Sequence, residues 1–540
     1  MPPPSAARSS LFAALRRAAR LAAVSAAGGP PPDESVEMAR EARAARGSDA
    51  RPMLDRRSFL GLAGASVAGT LLGPALAGCA PTGRLGSDHH GARIAIVGGG
   101  MAGLNAAFRL RQAGIRATVY EASPRTGGRM HTATGLLGPG LTTELGGEFI
   151  DSTHRDLLAL ALAFDLDVAD RACGGEEDAR HAFYFGGRLV PECEVVEAFA
   201  PLVPALVLDR AAEGEGAIAL DRLSVAEYLD RIGATGLIRD LLDAAYVTEY
   251  GLDAGEQSAL NLIGLVGLDL HDGCDRFEPF GDSDERFKVV GGNERVVDAL
   301  AERLPDRIET GQRLVAMRPR GAGVRLAFES GGATRDVDAD IVVLALPFTM
   351  LRDVDTSAMG WPGIKQQAIR ELGYGTNAKL FVGTAARPWR AMGHNGECMT
   401  DAAFQLCWDN AQLQPGAAGG LTLFSGGAAG LAVGAGTAEE QIARLLPGVD
   451  GAFPGIASVR TDRVGRFHWP THPFTRGSYA CYRPGQTTAF GDAIGAPVGR
   501  VHFVGEHCSA EFQGYMNGAA ETGRVAAEAV LASLGVDVPR

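Results

Sequence analysis

The stretch RIAIVGGGMAGLNAAFRLRQAGIRATVYEA, Arg93 to Ala122, decides the fold. Ile94, Ile96 and Val97 form a short apolar run suited to a strand buried on both faces. Gly98, Gly100 and Gly103 come next with GxGxxG spacing. Ala102, Ala106, Ala107 and Leu110 then recur at the period of one helix face, and a second β-rich run ends at Glu121, about twenty residues after the turn. Strand, glycine turn, helix, strand and acid in this order predict a dinucleotide site. The glycines let the backbone approach a pyrophosphate at a helix N-terminus, and the acid takes ribose hydroxyls.

Two downstream segments separate a flavin from a nicotinamide. TGGRMHT (Thr126 to Thr132) and ELGGEFID (Glu144 to Asp151) add two more glycine pairs and an arginine. A nicotinamide fold does not need these, whereas a flavin laid along a sheet touches several loops. FKVVGGNERVVDALAERL (Phe287 to Leu304), IVVLALPFTML (Ile341 to Leu351) and VHFVGEHCSAEFQGYMNGAAETGRVAAEAVL (Val501 to Leu531) extend the series. In this order, over roughly residues 92–534, the chain resembles the flavin-containing amine oxidase family, which includes monoamine, polyamine and L-amino acid oxidases.

The resemblance implies an α/β fold: a Rossmann-like FAD-binding domain (92–155, 285–351 and 477–540) interleaved with an α+β substrate-binding domain (156–284 and 352–476). It implies that Gly98, Gly100, Gly103 and Glu121 hold the ADP half of the cofactor, and that Arg129 meets the phosphates or the flavin edge. Gly146 and Gly147 then pass close to the isoalloxazine, and the backbone of Leu314 meets adenine. Gly505 and Glu506 match the ribityl and phosphate contact. Met516, at a helix start, offers its amide to the flavin pyrimidine.

GYGTNAKLFVG, Gly373 to Gly383, alternates with a period of two and reads as a half-buried strand with Asn377, Lys379 and Phe381 on one face. The chain has only three lysines, Lys288, Lys365 and Lys379. An isolated lysine in a strand would normally snorkel to the surface, but Lys379 matches the family lysine that reaches a water beside flavin N5. Tyr479 and Tyr515 match two aromatic positions that sandwich the amine in front of the flavin. Ser478 stands where some members carry a cysteine bonded to the flavin, so the resemblance implies non-covalent FAD, with Cys481 too far along to substitute. Ser123 replaces an arginine of several relatives, shifting phosphate anchoring toward Arg129. Trp469 resembles a packing tryptophan before the cage loop.

Composition bounds the rest. The formal net charge is −13. Residues 1–78 hold ten Arg against six Asp/Glu, leaving 41 basic and 58 acidic residues in 79–540. An acidic body without a basic stripe argues against nucleic acid. The eight cysteines show no zinc-like spacing, and Pro470 and Pro473 disfavour a helical metal pair at His468 and His472, so no metal site is expected. DRRSFLGLAGASVAGTLLGPALAGC, Asp55 to Cys79, resembles a twin-arginine signal, with Arg56 and Arg57 ahead of an uncharged run. Leu76, Ala77, Gly78 and Cys79 resemble a lipobox, with Cys79 as the lipidation site. Residues 53–79 are thus an address and 80–91 a linker; 1–52 form a non-conforming extension, with Met53 as the alternative start.

The expected activity is FAD-dependent oxidation of a small amine or L-amino acid to an imine, which water hydrolyses. O2 or a periplasmic electron carrier reoxidises the flavin. The expected location is the periplasm, reached through the twin-arginine machinery, with membrane contact only through a lipid anchor. The alternatives are a desaturase or protoporphyrinogen-oxidase-like flavoenzyme, a non-catalytic flavin-loaded lipoprotein, and a nicotinamide dehydrogenase. An amino acid substrate needs a carboxylate clamp, for which Arg276 and Arg286 are candidates. Glu249 and Tyr250 are candidates for meeting a cation at the entrance, within the stretch Tyr246 to Asp269.

Overall fold

The computed structural model describes residues 91–171, 180–265 and 284–538. Its first sheet is parallel and five-stranded. At the centre lies β1 (Ile94–Val97), followed by α1 (Met101–Gln112) and β2 (Ala117–Tyr120). Across the sheet the order is Val501–Phe503, Ile341–Leu344, β1, β2, Ile308–Glu309. Every residue of β1 and of Ile341–Leu344 is buried, as a parallel sheet covered on both faces requires. One face packs on α1, through Ala102, Ala106 and Leu110, and on residues of the C-terminal helix. The other meets a three-stranded antiparallel sheet through Leu326 and Phe328. Burying Leu110, Leu326 and Phe328 contributes about 1.5–3 kcal/mol each relative to exposure.

A second, mixed sheet has seven strands, in the order Arg460–His468, β3 (Ala378–Thr384), Gly419–Ser425, Leu406–Asp409, His394–Thr400, Arg180–Phe185 and Arg188–Leu189. A helical layer that includes Leu237–Tyr250 and Ala259–Leu265 has its own core, containing Tyr228, Leu241 and Tyr246. Strands of the two large sheets alternate along the chain, so the polypeptide passes between them repeatedly. The last passage ends in α2 (Met516–Leu534), whose buried Gly523 lies against Ala102 of α1.

β3 departs from the sequence expectation of a half-buried strand. All seven of its residues are buried. It is hydrogen-bonded on both edges, with Lys379 opposite Phe424 on one side and Phe467 on the other. Both faces are covered: Ala378, Leu380 and Val382 cluster with Ile442 and Leu445, and Lys379 on the opposite face meets the loop at Glu144 to Glu148.

Candidate active site

At the nucleotide end the glycines are required by space. Gly98 has φ +108°, and a Cβ there would lie 2.4 Å from the Ala345 carbonyl oxygen. A Cβ on Gly103 would lie 2.0 Å from the Gly98 oxygen, so only glycine lets α1 start against the end of β1. Gly100 is the N-cap of α1, and the helix has neither a side-chain cap nor an acid in its first turn. Its open N–H groups therefore present a positive dipole end to an anion. Beside it, Glu121 accepts hydrogen bonds from Gly99 N at 2.6 Å and Ser123 N at 2.7 Å.

A cavity of about 520 Å³ runs from this turn to the second sheet. Gly98, Gly100, Glu121, Arg129, Gly146, Gly147 and Leu314 line it, as do Lys379, Tyr479, Gly505, Glu506, Tyr515 and Met516. Gly103 stands behind the lining, in the helix–strand contact. Arg129 donates from Nη1 to the Ser478 carbonyl at 2.7 Å and to Glu506 Oε1 at 2.8 Å. Glu506 also accepts from Ala480 N and Gly514 N. Arg129 thus ties the glycine loop to the closing loop, a structural job additional to the one expected of it. A Cβ on Gly146 would fall 1.8 Å from the Arg129 oxygen, and one on Gly147 2.7 Å from Met516 Cγ. Met516 opens α2, again without a side-chain cap or a first-turn acid.

Lys379 is buried, which removes the snorkelling alternative. Its Nζ donates to the Glu144 carbonyl at 3.0 Å, the Gly146 carbonyl at 2.8 Å and Glu148 Oε2 at 2.8 Å, and lies 5.1 Å from the Trp408 ring centroid. Three acceptors match the three donors of an ammonium. The other Glu148 oxygen accepts from Lys288 Nζ at 2.8 Å. Two of the chain's three lysines therefore converge on one glutamate. Burial alone would raise the Glu148 carboxyl, but the two ammonium groups outweigh it and hold the pKa at about 2. Four residues earlier, Glu144 is pushed up to about 7 by burial, against the Asn293 N–H that stabilises its charge. Sequence reasoning missed Glu148 and Lys288. The scarcity of lysine was the available signal: a chain that places two in apolar strands needs a buried acid to receive them.

The two tyrosines are held differently. Tyr479 donates its hydroxyl to the Thr248 carbonyl at 3.1 Å. The Tyr515 ring lies against the His154 imidazole, with centroids 4.7 Å apart. Burial lowers the His154 pKa to about 3, so the ring is neutral, and its Nδ1 accepts from Asp151 N at 3.0 Å. Ser478 donates to Asn377 Oδ1 at 2.6 Å. Trp469 donates to the Leu145 carbonyl and backs Gly146.

A profile of the flavin containing amine oxidoreductase family matches residues 101–531. The chain belongs to this family. Over 456 residues it is 27% identical to the (S)-6-hydroxynicotine oxidase of Paenarthrobacter nicotinovorans, covering 81% of this chain and 99% of that one. It is 24% identical over 460 residues to an L-amino acid dehydrogenase of Synechocystis, covering 81% and 94%. Among solved structures, the cyclohexylamine oxidase of Brevibacterium oxydans superposes with a TM-score of 0.71 at 23% identity, covering 82% of this chain and 99% of that one. As a family member the chain is an FAD-dependent oxidoreductase of amines or amino acids, on the fold the sequence implied. The glycine cradle, the two open helix N-termini and Glu121 fit such a cofactor.

Some expected site residues fall elsewhere. Arg286 does not line the cavity; it is forked onto Asp170 at 2.9 and 2.6 Å, which corrects its reading as a carboxylate clamp. Glu249 and Tyr250 are buried at the end of Leu237–Tyr250 and also lie off the lining. Cys481 packs in the helical-layer core, away from the cavity. Cys79, Arg56, Arg57 and Arg276 lie outside the described residues.

Proposed function

We propose that this oxidoreductase acts on an amine without an α-carboxylate, and that it does so after export. The observation that carries the substrate reading is the charge of the cavity lining. Among the described residues its four lining arginines are each paired with an acid: Arg125 with Glu294, Arg129 with Glu506, Arg313 with Glu329 and Arg476 with Asp353. The end nearest Lys379 is instead walled by Phe149, Leu406, Trp408 and Phe424 and carries the acids Glu148 and Glu285. Glu148 is spent on Lys288 and Lys379, so this wall offers a substrate carboxylate no uncommitted arginine, and its aromatic and apolar surface suits an amine.

FAD, when bound, supplies the two-electron acceptor. Tyr479 and Tyr515 exclude water from the amine and orient its nitrogen. Lys379, fixed by Glu148 and two carbonyls, holds a water for the reacting centre by sharing one of its carbonyl-directed protons. Its charge is set in place before reaction, where preorganised electrostatics act most strongly. Ser478, engaged with Asn377, offers no thiol, so the flavin is dissociable. Denaturation should release it entirely into the supernatant.

The matched pair phenethylamine and L-phenylalanine tests the substrate reading. Anaerobic addition of the amine should bleach the flavin while the amino acid leaves it oxidised; the reverse would overturn the reading. Admitting air then assigns the acceptor: rapid recovery with hydrogen peroxide identifies O2, and a persistently bleached flavin an electron carrier.

Export through the twin-arginine route, with Cys79 lipidated on the periplasmic side, rests on the Arg56–Arg57 pair and the Leu76–Cys79 lipobox. Among the described residues no helix is long and apolar enough to cross a membrane. Replacing both arginines by lysine should trap the precursor in the cytoplasm, and Cys79→Ser should abolish incorporation of labelled fatty acid. Unchanged export and no label in the parent chain would contradict the assignment.

A further inference from the structure

The substrate end of the cavity holds one acid whose carboxyl group nothing among the described residues engages. Glu285 is 1% exposed, lines the cavity, and neither of its carboxyl oxygens has a hydrogen-bond partner among those residues. Its backbone is fully used: N donates to Asp151 Oδ1 at 2.8 Å, and the carbonyl accepts from Arg171 Nη1 at 2.8 Å. Arg171 also donates from Nε to Gln412 and from Nη2 to Glu397, and its guanidinium lies over the Phe149 ring at 4.4 Å. Lys288 and Lys379 are both committed to Glu148. The backbone at Glu285 has φ +42°, a region that non-glycine residues seldom occupy.

A buried polar group without a partner is rare, because desolvation is then uncompensated. Here the missing partner is a donor on the cavity side. The surroundings also set its charge: Asp151, Glu397 and Glu249 bathe Glu285 in negative potential, opposed by Arg171. Burial first, and these acids second, push the carboxyl well above its ordinary range. A cation relieves that field, whereas a neutral hydroxyl does not.

We infer that Glu285 receives the second amino group of a diamine whose first amino group lies between Tyr479 and Tyr515. This rests on the amine reading and deepens it. Arrival of the second ammonium favours the ionised carboxylate, so binding to protein with Glu285 protonated releases a proton.

Pentylamine and cadaverine, equal in chain length and differing by one amino group, make the test. Each is mixed anaerobically, over a range of concentrations, with the flavin-loaded protein and with Glu285→Gln, reading as the half-reducing concentration the one that gives half the maximal rate of flavin reduction. In the parent protein cadaverine should act at about tenfold lower concentration or less, equivalent to about 1.4 kcal/mol, and in Glu285→Gln that ratio should collapse toward one. A pH indicator in weakly buffered solvent should also report more acid released when cadaverine binds the parent protein than when it binds Glu285→Gln. Equal half-reducing concentrations in the parent protein, or a ratio unaltered by Glu285→Gln, would overturn the inference. If pentylamine reduces the flavin without any diamine advantage, only this inference falls; if neither amine reduces it, the amine reading falls as well.

Discussion

The two ends of the cavity are built from different materials. The nucleotide end is made of backbone: Gly98 and Gly103 sit where a Cβ would strike a neighbour at 2.4 and 2.0 Å. The amine end is made of side chains delivered by distant segments. Lys379 comes from β3, Glu148 from the third glycine loop, Lys288 from Phe287–Val289, and the tyrosines from the last part of the chain. A backbone site tolerates almost no substitution at its glycines and is indifferent to much else. A side-chain site can change one group at a time, altering chemistry while the cofactor stays bound.

The sharpest way to break this contrast is at Gly103. Gly103→Val places branched carbon where the Gly98 oxygen already stands and should eliminate bound flavin, with destabilisation beyond about 4 kcal/mol. Flavin absorbance per protein after gel filtration and a thermal melt read both effects. Retention of full flavin would show that the cradle is not what holds it.

Glu148→Gln attacks the other end. It leaves the buried Lys379 and the partly buried Lys288 without their shared counter-charge, and breaking a buried ion pair in this way costs about 3–5 kcal/mol. The melting temperature should fall accordingly, and Lys379→Met with Lys288→Met in the same background should recover part of the loss.

Tyr479→Leu should be milder. It keeps an apolar side chain but removes the aromatic face and the bond to Thr248, raising KM for an amine about tenfold with flavin content unchanged. Steady-state kinetics decide it.

The smallest effect separates the two neighbouring acids. Glu144 has a raised folded pKa, so its contribution is fully present below about 4.5 and is lost as pH rises through about 7. Glu148 is depressed, so its contribution is present above 4.5 and is lost as pH falls toward 2. Glu144→Gln should therefore flatten the decline in melting temperature between about pH 4.5 and 7 and leave the acid limb in place.

This division also explains what the sequence disclosed. The parallel sheet, the turn at Gly98 to Gly103 and Glu121 were legible because backbone proximity demands glycine at fixed spacing, which a local pattern records. Lys379 was legible as an oddity of composition, and through resemblance as a site residue. Its acid was not, because Glu148 acquires meaning only when β3 and the strand carrying Lys288 are folded against one loop. Arg286 misled for the converse reason: an arginine near a predicted site says nothing of the aspartate, Asp170, that a short antiparallel pairing brings to it. The burial of β3 on both faces likewise depends on segments far away in the chain, Ile442 and Leu445 on one side and the Glu144 to Glu148 loop on the other.

Lys379→Met tests the central claim most directly, with flavin content and anaerobic amine-reduction rate measured side by side against the parent protein. The account predicts full flavin content with reaction slowed about 10²-fold, the scale of losing one preorganised charge. Loss of flavin together with rate, or retention of both, would contradict it.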